Sequence, residues 1–190
     1  MKIYQYTDYE EYVKIQSEAN KLKIDFVWVD QKSIQTIASR FPKAEKILCH
    51  GTRNGEEIKL FQKFLPSASV IGTEISDTAT QFPNTVQHDF HEQREEWMGQ
   101  FDIVYSNSWD HSYDPNKSLL AWTNQLNETG VICLDYAVGA MENKSRPWDP
   151  FEANHDEILE ILQKHELEII EIIDSSKRNS KCNLYIVKRK

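Results

Sequence analysis

A turn with two glycines follows an apolar run near residue 50 and precedes a helical pattern. Its residues, from the end of the apolar run to the start of the helix, are His50, Gly51, Thr52, Arg53, Asn54 and Gly55. Glycine lets a ligand approach the backbone, and the free N–H groups at the start of a helix favour an anion. The two glycines alone are equally compatible with a plain tight turn, so their interpretation as a binding site depends on their neighbours.

Carboxylates end the next two apolar runs. Glu74 closes the run SVIGTE nineteen positions after Gly55, with Ile75 next to it. An acid at this spacing can accept hydrogen bonds from both hydroxyls of an adenosine ribose, and it would repel the 2′-phosphate of NADP. Asp89 and Phe90 end the run TVQHDF, where a carboxylate can accept from an adenine amino group beside the ring. A solvated Glu74 and an Asp89 that caps a helix are the structural alternatives.

These residues lie within an alternation of strands and helices that begins at Lys46. We predict strands at 46–49, 69–74, 85–89, 101–106 and 130–136, separated by helices at 56–65, about 77–82, 91–98 and 114–127. This rhythm predicts an α/β fold with a doubly wound, mostly parallel sheet and helices on both faces. Ligands of such sheets bind outside the carboxyl ends of the strands, so the turn, Glu74 and Asp89 should meet at one edge.

The two ends of the chain depart from this alternation. After a helix at 155–165, the last two strands, 167–174 and 181–188, are joined by about seven residues, too few for a parallel crossover, so they must run antiparallel. Residues 1–42 are predicted to form an N-terminal helical extension with caps at Asp8 and Asp30, and residues 43–190 the core of a single domain. The first helix should bury one face, made of Tyr9, Tyr12, Ile15, Ala19 and Leu22.

Composition excludes several classes of partner. The 190 residues carry a net charge of -8, and no strong basic patch is apparent, so nucleic acid is not expected as a partner. No apolar stretch is long enough for a membrane span, and the first residues lack the apolar core of a secretory signal. We therefore expect a cytoplasmic protein without a membrane partner. Cys49, Cys133 and Cys182 lie in apolar runs and are expected to be buried, reduced thiols.

From Ala44 to Val187 the sequence resembles the class I S-adenosylmethionine-dependent methyltransferases. The similar motifs are ILCHGTRNG, VIGTEIS, VQHDF, FDIVYSNSWDHSYDP and LNETGVICLDY. The resemblance implies a Rossmann-like sheet of seven strands with an antiparallel last strand, and S-adenosyl-L-methionine as cofactor. The glycine loop of that family begins with an acid and contains three alternating glycines; Cys49 stands at the acid position and Arg53 at the second glycine position. We expect Arg53 to pair instead with the methionine carboxylate.

The resemblance also implies roles for the segment after the fourth core strand. Ser106, Asn107 and Ser108 are expected to contact the methionine part of the cofactor. Asp110, His111 and Tyr113 would lie near the transferred methyl, with His111 as the general base because its ordinary pKa is near neutrality. A structural loop histidine is the alternative.

The acceptor implied is a small molecule or a sugar-like compound, and the sequence does not indicate an oligomeric state. The walls of the acceptor site are expected to come from the connection 137–153, through Arg146, Trp148 and Phe151, and from Tyr12 and Trp28 of the N-terminal part. We expect Arg146 to hold an anionic acceptor; alternatively, Trp148 and Phe151 only pin the connection to the core.

Three other interpretations remain. His88 and His91 are spaced like metal ligands, but no further ligands complete a shell, and no metal is expected. A nicotinamide-dependent oxidoreductase would have a similar sheet but normally lacks the reversed last strand. A non-catalytic, nucleoside-binding module of the same fold is the remaining possibility, and the altered glycine loop is the observation that favours it.

Overall fold

The computed structural model describes residues 1–138, 145–176 and 180–190. Within these residues, one sheet contains seven strands. They are β1 (Lys46–His50), β2 (Ser69–Glu74), β3 (Thr85–Gln87), β4 (Phe101–Ser106), β5 (Leu126–Ala137), β6 (Leu167–Asp174) and β7 (Cys182–Arg189). The strand order is β3-β2-β1-β4-β5-β7-β6.

The sheet is parallel except for its last strand. β7 lies between β5 and β6 and runs antiparallel to both of them. The predicted reversed strand is therefore confirmed. The order of strands changes direction between β1 and β4, so the carboxyl ends of these two strands border a cleft where ligands of such sheets bind.

Five α-helices accompany the strands in the described part of the chain. They are α1 (Tyr9–Leu22), α2 (Gln31–Arg40), α3 (Glu56–Phe64), α4 (Pro115–Gln125) and α5 (His155–Lys164). Helices α2 and α3 cover one face of the sheet, where Ile34 and Phe61 pack against Cys49. Helices α4 and α5 cover the other, where Trp122 and Ile158 are buried. Neighbouring residues of a strand alternate between the two cores, as a strand period of two requires.

Helix α1 does not bury the face that was predicted. Tyr9 and Leu22 are 47% and 82% exposed, whereas Gln16 and Asn20 are buried beside Tyr12 and Ala19. The prediction was wrong because it assumed an apolar core beneath the helix, while α1 lies over the polar ligand-binding edge of the sheet. Its expected cap is present, since the Asp8 side chain accepts from the Glu11 N–H.

The helix predicted at 91–98 is also absent; the structure has only a single 3-10 turn there, Glu95–Trp97. The Asp89 carboxylate and carbonyl accept the N–H groups of His91 and Glu92, and Arg94 is extended, which together prevent a continuous helix. A second short pairing joins Lys2–Ile3 to Phe151–Glu152, so the N-terminal extension is not purely helical. The three cysteines are buried free thiols, as predicted. No helix in the described residues is long and apolar enough to cross a membrane.

Candidate active site at the carboxyl ends of the strands

The turn between β1 and α3 forms the floor of the site. Gly51 and Gly55 have φ angles of 72° and 73°, and Arg53, at the position of the missing glycine, has φ 46°. A Cβ on Gly51 would lie 2.6 Å from the Ser108 Cβ, so the turn and the loop after β4 touch at this point. Left-handed backbone and close approach explain why glycine is required at position 51.

A cavity of about 680 Å³ opens above this floor. It extends from the turn and the start of α3 to the loop after β4, the segment 22–28, and the segment 146–154. Its volume lies within the range of small-molecule sites. The predicted residues Gly51, Thr52, Arg53, Asn54, Asn107, Ser108, Asp110 and His111 all line it.

Glu57, which the sequence analysis missed, is the most unusual group in this cavity. It is 6% exposed, and its Oε1 accepts from the Asn107 side chain at 3.1 Å, while its buried Oε2 has no hydrogen-bond partner in the described part of the chain. Burial raises the pKa of Glu57 to about 7. A buried carboxylate oxygen with no donor is costly, and a cationic ligand group would satisfy it.

The sequence contained a signal for Glu57. Its position is four residues before Phe61, on the buried face of α3, where an ordinary helix has an apolar residue. Its place in the first turn of α3 made it resemble an acid that merely complements the helix dipole. Because Cys49 stands where the resembling methyltransferases have an acid, a carboxylate at another position near the turn could take over the role of that acid.

The predicted adenosine side of the site is almost closed. A space of only about 50 Å³ remains between Glu74, Ile75, Asp89 and Phe90, which line it as predicted, and helix α1 above. Such a volume holds one or two water molecules. Asn20 of α1 accepts from the Thr78 hydroxyl at 2.8 Å, so polar contacts hold the helix over this space.

Both carboxylates of this side already have partners. Glu74 accepts from the backbone N–H groups of Arg53 and Ser76, and burial raises its pKa. Asp89 accepts from the Tyr9 hydroxyl at 2.9 Å and from His91 at 2.6 Å. Burial alone would raise the pKa of Asp89, but these hydrogen bonds and His91 lower it. Asp89 therefore does not cap a helix; it links α1 to the end of the third strand.

The loop after β4 is tied to the glycine turn. Ser106 donates to the His50 carbonyl, Ser108 donates to the Gly51 carbonyl at 3.0 Å, and Asn107 contacts Glu57. Among these three residues, Asn107 and Ser108 line the cavity, whereas Ser106 lies below it. Ser106 therefore positions the loop.

His111 lies between two carboxylates. Its Nδ1 is 2.6 Å from the Trp148 carbonyl oxygen and 3.9 Å from Asp149, and its Nε2 is 4.0 Å from Asp110. A carbonyl can only accept, so Nδ1 carries a proton, and in the neutral ring Nε2 then has a free lone pair. Burial in the cavity wall, with the nearby Asp149, raises the pKa of Asp110. This arrangement suits a proton acceptor.

The same three side chains form a group that metal ions can use. Ligand atoms of Asp110, His111 and Asp149 lie within 4.8 Å of one another. In the sequence, only His88 and His91 have a spacing that suggests metal ligands. The His88 Nε2 contacts the Glu92 carbonyl, and both nitrogens of His91 are engaged by Asp89 and Ser112, so neither is available as a ligand.

The side chains of two residues of the predicted turn, His50 and Arg53, contact other parts of the protein. The His50 ring is buried between Thr73 and Gln125 and stacks on Trp122, and burial lowers its pKa to about 3. Because its side chain points into the core, His50 can reach a ligand only through its backbone. The Arg53 guanidinium donates to the Phe26 carbonyl at 3.0 Å, which fixes the segment before α2.

The connection after β5 was expected to form a wall of the acceptor site through Arg146, Trp148 and Phe151, and the structure places these three residues differently from one another. Phe151 lines the cavity and is also buried against Trp109, so it both forms part of the wall and pins the chain to the core. Trp148 is 45% exposed and is not part of the cavity lining. Arg146 lines the cavity, but its Nε donates to Asp149 at 2.7 Å. Residues 139–144 of the connection lie outside the described part of the chain. Tyr12 faces the small space, whereas Trp28 lines the large cavity.

Comparisons with known proteins identify the fold. No family model and no curated protein matches the sequence. The structure is similar to that of a Burkholderia thailandensis 1,6-didemethyltoxoflavin N1-methyltransferase, solved with 1,6-didemethyltoxoflavin and S-adenosylhomocysteine. The TM-score is 0.76 and the identity 13%, over 98% of this chain and 93% of that one.

Two further similar structures show that the fold serves more than one reaction. A magnesium protoporphyrin IX methyltransferase from Synechocystis PCC 6803, with bound S-adenosylmethionine, has a TM-score of 0.66 and 12% identity over 98% of this chain and 100% of that one. A 4+2 cyclase has a TM-score of 0.68 and 12% identity over 84% of this chain and 80% of that one. The chain therefore has the Rossmann-like fold of the class I S-adenosylmethionine-dependent methyltransferases.

Proposed function

We propose that the protein is an S-adenosylmethionine-dependent methyltransferase that acts on a small-molecule acceptor. The observation that carries this proposal is the buried Oε2 of Glu57, which has no hydrogen-bond partner among the described residues. Glu57 lines a cavity beside the glycine turn and faces the loop after β4. S-adenosylmethionine has two cationic groups, a sulfonium and an ammonium, and a buried carboxylate stabilises a nearby cation. The methyltransferases of similar fold bind this cofactor or its product.

The residues at the strand ends fit the parts of this cofactor. Glu57 would accept from the ammonium group, a role that Cys49 cannot fill. Glu74 has carboxylate lone pairs left for the ribose hydroxyls, since an ionised carboxylate accepts about four hydrogen bonds. Asp89 and Phe90 would receive the adenine once α1 moves away from them.

The proposed reaction requires the protein mainly to position the acceptor atom and the methyl group. Bound S-adenosylmethionine would supply a methyl group on a positively charged sulfur. Asn107 and Ser108 fix the loop that carries Asp110 and His111, so these side chains can hold the acceptor atom in line with that methyl. The free lone pair of His111 Nε2 would take the proton that the acceptor releases.

Calorimetry with S-adenosylmethionine, S-adenosylhomocysteine and NAD tests the proposed ligand. We expect the first two to bind and NAD not to bind. Glu57→Gln should weaken S-adenosylhomocysteine binding about 10–100-fold at pH 8, because a hydrogen bond to a charged group contributes about 1.5–3 kcal/mol. Glu168→Gln is the matched control, since Glu168 pairs with Lys188 outside the cavity lining and its loss should leave affinity unchanged. Equal affinities of wild type and Glu57→Gln would contradict the assignment.

A non-catalytic nucleoside-binding module is the second candidate. The arginine at a glycine position and the nearly closed adenosine side favour it. Methyl transfer from labelled S-adenosylmethionine to small molecules of a cell extract distinguishes the two candidates. Transfer that Asp110→Asn abolishes supports the enzyme, whereas tight binding without any transfer supports the module.

A further inference from the structure

We propose that the acceptor carries a basic nitrogen, that Asp110 binds it as an ammonium group, and that this nitrogen receives the methyl group. This inference rests on the proposed function and narrows it to one class of acceptor. It follows from the charges, the apolar wall and the tautomer of His111 in the larger cavity.

The lining of the larger cavity is acidic. Among the described residues that line it, five have carboxylate side chains and three have lysine or arginine side chains. The carboxylates are those of Glu56, Glu57, Asp110, Asp149 and Glu152. The cations are those of Lys23, Arg53 and Arg146. A cleft with an excess of one sign attracts ligands of the opposite sign.

Pairing within the protein leaves Asp110 as the acidic group best placed for a ligand. Arg146 neutralises Asp149, and Arg53 is committed to the Phe26 carbonyl. In the described residues Asp110 makes no ion pair with lysine or arginine, and its carboxylate lies 4.0 Å from the His111 Nε2. The expectation that Arg146 holds an anionic acceptor stays a prediction; in this structure its guanidinium is paired with Asp149.

An apolar wall stands opposite these acids. Phe26, Val27 and Trp28 line the cavity, and the rings of Phe26 and Trp28 lie 6.3 Å apart in a stacked arrangement. Phe26 and Val27 remain 42% and 37% exposed. Aromatic faces attract cations as well as apolar groups, so this wall suits an amine with an apolar body.

The transfer step requires a base, and the site contains one. An ammonium nitrogen has no lone pair, so it must first lose a proton, which the lone pair of His111 Nε2 can accept. The nitrogen lone pair then forms the N–C bond, the C–S bond breaks, and its electron pair returns to sulfur. Asp110, 4.0 Å from Nε2, stabilises the imidazolium that results.

Three matched indole compounds test the inference, with the protein saturated with S-adenosylhomocysteine in EDTA. The compounds are tryptamine, tryptophol and indole-3-acetate, which share one ring and differ in charge. We expect tryptamine to bind at least about ten-fold more tightly than indole-3-acetate, with tryptophol between them. Asp110→Asn should remove most of this preference, and added salt should reduce it in the wild type. Glu168→Gln, which removes a carboxylate outside the cavity lining, should not change it.

Several outcomes would overturn the inference. These are equal binding of the three compounds, tighter binding of the acid, a preference that Asp110→Asn leaves intact, and a preference that needs a divalent cation and disappears in EDTA. The salt series on the wild type decides the matter if Asp110→Asn fails to fold. Failure of the protein to bind S-adenosylhomocysteine contradicts the proposed function instead, and the amine preference is then measured on the unloaded protein.

Discussion

The two halves of the cleft are built in opposite ways. The half above the glycine turn is a cavity of about 680 Å³, where the Oε2 of Glu57 has no hydrogen-bond partner among the described residues. The half above β2 and β3 has about 50 Å³ left, and its two carboxylates are satisfied by the protein itself. The first half is ready for a ligand, whereas the second must be opened.

The closed half is covered by helix α1, which polar contacts hold in place, unlike the helices that cover the faces of the sheet. Gln16 and Asn20 of α1 are buried and make hydrogen bonds, whereas α2 and α3 bury isoleucine and phenylalanine. Each hydrogen bond contributes about 0.5–1.5 kcal/mol net, because water can replace it, so such a cover opens more readily than a packed apolar one. We therefore expect a ligand to enter by its methionine end and to displace α1 last.

Gly51 lies beneath both halves, and its replacement should have the largest effect. Gly51→Ala adds a Cβ 2.6 Å from that of Ser108 at a φ of 72°. Left-handed strain and the clash together should lower the free energy of unfolding by about 2–4 kcal/mol and abolish S-adenosylhomocysteine binding. Gly99→Ala is the control, because Gly99 has φ 68° and nothing within 4 Å, so only the strain of about 1–2 kcal/mol applies. Similar losses in the two variants, measured by urea unfolding, would contradict the contact at Gly51.

The open half should respond to pH through Glu57. Its pKa is raised from 4.5 to about 7, so the unliganded wild type should lose stability relative to Glu57→Gln as pH rises from about 4.5 through 7, by up to about 3 kcal/mol. A cation prefers the ionised carboxylate, so S-adenosylhomocysteine should bind more tightly as pH rises from about 6 to 8, with proton release below pH 7. Calorimetry in two buffers of different ionisation enthalpy measures the protons, and a pH-independent affinity would exclude this role for Glu57.

The closed half should open when a hydrogen bond of its cover is removed. Tyr9→Phe removes the donor to Asp89, so S-adenosylhomocysteine should bind about three- to ten-fold more tightly, and the amide protons of α1 should exchange faster. Tyr185→Phe is the control, since the Tyr185 hydroxyl contacts His155 and Asn183, neither of which belongs to α1. Weaker binding by Tyr9→Phe would mean that α1 belongs to the bound state as it stands.

Arg53→Gly should have the smallest effect. Relief of the left-handed strain at φ 46° opposes loss of the hydrogen bond to Phe26, so the free energy of unfolding should change by no more than about 1 kcal/mol. S-adenosylhomocysteine affinity should fall less than about three-fold, while amide protons at 23–28 exchange faster. A ten-fold loss of affinity would restore the interpretation in which Arg53 contacts the methionine carboxylate.

The sheet could be predicted because its signals are local. Apolar runs at Ile47 and Ile103, and caps at Asp30 and Asp114, depend on neighbours in sequence. The reversed last strand followed from the length of one connection. The prediction of the buried face of helix α1 failed because it depends on the polarity of the surface beneath the helix. That polarity is set by the ends of strands that lie far away in sequence.

The site was predictable in position but not in its contacts. Strand-end geometry placed Glu74 and Asp89 at one edge of the sheet, yet it did not indicate that the Tyr9 hydroxyl donates a hydrogen bond to Asp89. His50 was assigned to the cofactor because it belongs to the turn, but alternation along β1 directs its ring into the core toward Trp122. Glu57 was overlooked because an acid in the first turn of a helix ordinarily faces water.

The place of β7 in the sheet has a consequence for biosynthesis. β7 separates β5 from β6, so β6 has no partner strand until Cys182–Arg189 has been made. Until then the ribosome presents a chain whose β5 is an unpaired edge rich in apolar residues, such as Ile132 and Leu134. Exposed edges of this kind favour aggregation. Nascent chains arrested before residue 182 should therefore depend on chaperones more strongly than the finished protein does.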